Sequence, residues 1–122
     1  MEIEIVHQFT TLNEYINKER IPKMGSIIAN NIKQKETNLV MREALTYGYK
    51  AEEKKYDIEF HWFMKNLRKD PDNISFAQKF ILDGLVKANV LKSDTCKYIN
   101  SLSHYFEKAD DWGVTIKLKE SE

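Results

Sequence analysis

The sequence describes a small α/β (α+β) domain in which a mixed β-sheet is packed with helices. Three patterns lead there. Ile58, Phe60, Trp62 and Met64 alternate with Glu59, His61 and Phe63, and Val114, Ile116 and Leu118 alternate with Thr115, Lys117 and Lys119; a period of two is that of a half-buried strand. Between them Ile74, Ala77, Ile81, Leu85 and Ala88 form one apolar stripe at about 100° per residue, the signature of an amphipathic helix. Strands interleaved with helices require a layered sheet.

The elements follow in chain order. Ile3, Ile5 and His7 alternate with Glu2, Glu4 and Val6, which predicts a first strand. Thr11-Leu12-Asn13-Glu14 is a capping box: the threonine accepts from a backbone N–H while the glutamate reaches back. A short helix therefore starts there, and Pro22 ends it and opens the next at its first turn. Residues 24–47 are helix-tolerant, with Gly48 as a left-handed cap and Ile28, Ile32 and Leu39 on one face. Lys35 interrupts that stripe, and the polar run Lys33-Gln34-Lys35-Glu36-Thr37 leaves open whether the element is one helix or two. The strand over residues 58–64 follows. Asn73 is the expected N-cap of a helix running to Ala88, with Asn89 as terminator. Phe76 and Phe80 lie off its apolar stripe, so that helix must be covered on more than one side or present aromatics to a partner. Residues 98–106 and 112–118 supply two further strands, joined by a turn over residues 107–111.

The 122 residues suit one domain, and 42% apolar with 31% charged residues suits a soluble globular one. Nineteen Lys+Arg balance nineteen Asp+Glu, so there is no overall basic excess for nucleic acid. The charge is uneven, however: Lys65, Arg68 and Lys69 form a local basic edge just before an acidic motif. A single cysteine, Cys96, excludes an internal disulfide framework and fits a reducing cytoplasm. The acidic, alternating N-terminus is unlike a secretory signal, and no apolar run approaches membrane-spanning length.

The chemistry is concentrated between residues 70 and 94. Pro71 disfavours the α region for the residue before it, so Asp70 and Asp72 are expected on an extended segment, facing the same way. Two such like charges are tolerated in water, by protonation of one, or with a hard cation such as Mg²⁺ between them. Asp70-Pro71-Asp72-Asn73 alone is equally compatible with an Asx turn and a helix N-cap. An EF-hand loop fits less well, because Ile74, Ser75 and Ile81 stand where its fifth-position oxygen ligand, sixth-position glycine and twelfth-position glutamate belong. Lys79 and Asp83 are four apart on the helix, on the side away from the apolar stripe, and Asp94 lies beyond its exit. Carboxylates that hold Mg²⁺ and a lysine that offsets phosphate charge are the parts of a phosphodiester hydrolase. His7, His61 and His104 lack ligand spacing, no Ser-His-Asp pattern stands out, and four glycines make no phosphate loop.

Asp70-Pro71-Asp72-Asn73, Lys79 with Asp83, and the run Ala88-Asn89-Val90-Leu91 leading to Asp94 resemble the RusA-like Holliday junction resolvases, endonucleases of phage and prophage origin. Thr11-Leu12-Asn13-Glu14-Tyr15 after the first strand adds to the likeness. The resemblance implies a homodimer in the cytoplasm of a bacterial or phage-infected cell, with Mg²⁺ (or Mn²⁺ in its place) as cofactor, nicking opposed strands of a four-way DNA junction. It implies Asp70, Asp72 and Asp94 as metal ligands, Asp83 completing the acidic cluster, and Lys79 on phosphate. Lys65, Arg68 and Lys69 would contact DNA beside it, and Ser93 stands where some relatives carry a second acid.

Overall fold

The structure is a computed structural model describing residues Met1–Glu122. Its elements are β1 (Glu2–Val6), α1 (Leu12–Glu19), α2 (Gly25–Leu45), β2 (Tyr56–Met64), α3 (Pro71–Ser75), α4 (Gln78–Lys87), β3 (Ile99–Lys108) and β4 (Gly113–Glu120). The four strands form one mixed sheet in the order β1-β4-β2-β3. β2 and β3 run parallel, with α3 and α4 as the crossover between them, and β4 is antiparallel to both β1 and β2.

The alternation read in the sequence sets which face is covered. Ile3, Ile5, Ile58, Phe60, Trp62, Val114, Ile116 and Leu118 are buried, and they join Val40 and Ala44 of α2 and Phe80, Ile81 and Leu85 of α4 in one core. Cross-strand pairs such as Phe60 with Ile116 and Ile58 with Leu118 knit it. The other face is wet and charged: Lys119 meets Glu59 at 3.4 Å and Lys117 meets Glu2 at 3.6 Å. No helix is long and apolar enough to cross a membrane.

Several expectations hold in detail. Thr11 and Glu14 form the capping box of α1. Gly48 and Asn89 take positive φ, 70° and 56°, after α2 and α4. The stripe from Ile74 to Ala88 is buried throughout.

Others are decided or corrected. α2 is continuous through residues 33–37, because the buried Glu36 is held from outside the helix: its Oε1 accepts from the Thr10 backbone N–H at 2.8 Å and hydroxyl at 2.7 Å. Its buried stripe is Gly25, Ala29, Val40 and Ala44, so Ile28, Ile32 and Leu39 lie half-buried at its flank. Pro22 does not open α2; it sits in a turn with Lys23 at φ 66°, and the helix starts at Gly25. The helix expected from Asn73 to Ala88 is two helices, broken at Phe76-Ala77, and its N-cap position is Asp70. Proline at the first helical position has the right φ and lacks only an N–H that has no helical partner anyway, so the turn begins at Pro71, before Asn73.

Candidate functional site

α4 presents Lys79 near its start and Asp83 one turn later. Asn89 in the left-handed conformation stops the helix, and the backbone N–H groups of Val90 and Leu91 return to the Leu85 carbonyl. Val90 and Leu91 are buried, which pins the reversed chain against α4. Asp94 is thereby carried back to Lys79. The ammonium donates to Asp94 Oδ2 at 3.0 Å and lies 3.1 Å from Asp83 Oδ1, so one cation joins two carboxylates from segments eleven positions apart. The hydrogen bond from Lys79 holds the Asp94 carboxyl below its ordinary range, and the bonds to Asp94 and then Asp83 raise the ammonium.

Asp70 and Asp72 are placed differently. The Asp70 carbonyl accepts from the Asn73 and Ile74 N–H groups, so Asp70 precedes α3 while Asp72 belongs to its first turn. The expected extended pair is thus replaced by a helix entry, where a period of two no longer applies. Both are exposed and neither is ion-paired, whereas Asp83 and Asp94 are half-buried. All four carry hard oxygen donors of the kind Mg²⁺ takes. In this arrangement, though, no three His, Cys, Asp or Glu side chains form a group able to hold a metal ion.

The basic edge is divided. Lys65 and Arg68 are exposed, while Lys69 sits 3.6 Å from Glu14 and over the Trp112 ring at 5.3 Å. Asn73 braces another element: its Oδ1 accepts from Asn13 N–H at 2.9 Å, at the start of α1. Phe76 and Phe80 pack with Tyr15 of α1, at ring centroid distances of 5.2 and 6.0 Å, so α1 is the cover that the sequence required.

Two features escape the sequence reading. Trp62, His104 and Gln78 form a relay from β2 through β3 to α4, with contacts of 3.0 and 3.1 Å. A cleft of about 410 Å³ opens between α2 and α4, lined by Asn30, Lys33, Gln34 and Thr37 on one side and by Asp83, Val86 and Lys87 on the other, with Asp94 at its margin. The polar run over residues 33–37 was its visible trace. It leaves the continuity of the helix open until α4 is known to lie alongside. No protein-family model matches the chain, and no curated protein matches it.

Proposed function

We propose that this chain is a Mg²⁺-dependent, structure-selective DNA endonuclease that resolves four-way junctions by paired nicks as a homodimer, in DNA recombination and repair in a bacterial or phage-infected cytoplasm. The observation that carries the reading is the convergence of Lys79, Asp83 and Asp94, three of the residues singled out by their chemistry, at the mouth of a polar cleft. Asp70 and Asp72, exposed at the entry to the same pair of helices, complete the acidic set in this proposal. Lys79 is the group that would offset phosphate charge, and Lys65 and Arg68 are exposed for backbone contacts. Selectivity would come from the spacing of two sites in a dimer, since phosphate contacts carry no sequence information.

A second reading, a DNA-binding accessory protein without cleavage, draws on one observation: Asp83 and Asp94 are already engaged by Lys79, and the acids do not gather in threes. A labelled four-way junction incubated with the protein in Mg²⁺ and in Mn²⁺ separates the two. The endonuclease reading expects symmetric nicks that Asp72→Asn abolishes while junction binding persists. Full Mg²⁺-dependent cleavage by that variant would remove the mechanism, and binding without nicks in either metal would leave the accessory reading.

A further inference from the structure

We propose that the cleft between α2 and α4 is a track for a nucleic-acid phosphodiester backbone, with Lys33 and Lys87 as its anchors; this rests on the reading of the chain as a DNA-binding enzyme and names where one strand lies.

The charge arrangement comes first. Asp83 and Asp94 at the cleft margin share Lys79 as counter-ion, at 3.1 and 3.0 Å. Lys33 and Lys87 line the same cleft from opposite helices, and neither forms an ion pair; the Lys87 ammonium reaches only the neutral Asn38 Oδ1, at 3.3 Å. Lys79, Lys33 and Lys87 outnumber the two carboxylates by one charge, so the cleft and its margin keep a small positive excess, concentrated at Lys33 and Lys87.

Hydrogen-bonding capacity is the second, independent observation. Thr37 lines the cleft and is only 4% exposed, yet its hydroxyl has no hydrogen-bond partner. Buried hydroxyls are rarely left so, because the missing bond is not made up by water. The hydroxyl oxygen is itself closed to solvent, so it marks an unmet donor within the cleft wall and is not a contact to the strand. Asn30 and Gln34 add amide donors on the same helix. Lysines and amides around an open trough match the phosphate-and-sugar side of a nucleic-acid strand, which proteins grip with these side chains. Val86 is the one hydrophobic residue among those lining the cleft.

The test uses the full chain and a fluorescent four-way junction without divalent ions, so that cleavage plays no part. Lys33→Gln/Lys87→Gln should weaken binding at least tenfold at about 100 mM salt, and flatten the slope of log K against log salt by about 2, one released counterion per lost phosphate contact. Lys33→Arg/Lys87→Arg should retain binding. Lys18→Gln/Lys50→Gln, a control of equal charge on exposed positions elsewhere, should weaken it far less. Unchanged affinity and slope in the first variant overturns the proposal, as does equal weakening by the control or failure of the unaltered protein to bind at low salt. Should the double glutamine variant lose its cooperative melt, the single variants Lys33→Gln and Lys87→Gln, each expected to flatten the slope by about 1, decide the matter. Cleavage remains a separate measurement: binding that depends on the two lysines without nicks in Mg²⁺ sinks the endonuclease reading and leaves the track standing.

Discussion

Trp62 donates its indole N–H to His104 Nδ1, so that nitrogen carries no proton and the ring is neutral, with Nε2–H donating to Gln78 Oε1. Burial lowers the His104 pKa from its ordinary 6.5, in agreement with that state. The folded state then takes up the proton less readily than the unfolded chain. Stability is full above about pH 6.5 and declines as the pH falls through the lowered folded value. His104→Phe keeps an aromatic ring but strands the Trp62 N–H, and should cost about 1–3 kcal/mol in urea unfolding at pH 7.5. The variant should also lose part of the decline below pH 6.5, and an unchanged pH profile would refute the assignment. The Lys79 pair with Asp94 behaves differently because its lysine side chain is 57% exposed. Solvent screening limits it to about 0.2–1 kcal/mol. With the Asp94 carboxyl lowered, its contribution holds above the ordinary 3.8 and fades as pH falls through the folded value. Asp94→Asn should therefore lower the melting temperature slightly at pH 7, and by progressively less as the pH falls below 3.8.

Helix against helix, the contact that shapes the cleft is α2 on α4. A Cβ at Gly84 would lie 2.6 Å from Val40 Cβ and 2.9 Å from the Thr37 carbonyl, so only glycine lets the two helices approach this closely. Gly84→Ala should destabilise by about 1–3 kcal/mol despite alanine's better helix propensity, and Val40→Ala in the same chain should not restore it, because alanine keeps the clashing Cβ and the Thr37 carbonyl stays in place. A gain in stability would mean that the crossing is softer than its geometry. Thr11→Ala should cost about 1 kcal/mol by removing the α1 cap. That cap was plain in Thr11-Leu12-Asn13-Glu14 because its partners are three residues apart. The Asn73 bond to Asn13 spans 60 positions, and nothing local announces it.

Across the molecule, β2 is paired along its length with β3 on one side and β4 on the other, whereas β3 has one strand neighbour and an open outer edge. Hydrogen exchange should follow this order. Amides of β2 should exchange slowest, and those on the outer edge of β3 many-fold faster. Protection of that edge equal to β2 at high protein concentration, lost on dilution, would reveal pairing with a second copy, the event an exposed edge invites. Sedimentation at the same concentrations tests the homodimer.

Local pattern alone determined the strands at Ile3–Ile5, Ile58–Met64 and Val114–Leu118, the α1 cap, the termination at Asn89 and the buried stripe from Ile74 to Ala88. Each rests on neighbours within a few residues, where side-chain period and φ preference decide the outcome. The sequence also marked Lys79, Asp83 and Asp94 as chemically linked, and the reversal after Asn89 joined them. Only the tertiary structure decided that Glu36 is buried without breaking α2, that Asp70 and Asp72 frame a helix entry instead of a side-by-side pair, and that Lys33 and Lys87 share a cleft. Those outcomes depend on which distant segment supplies a hydrogen bond or a wall, and the free energy of long-range contact is written in no single stretch of the chain.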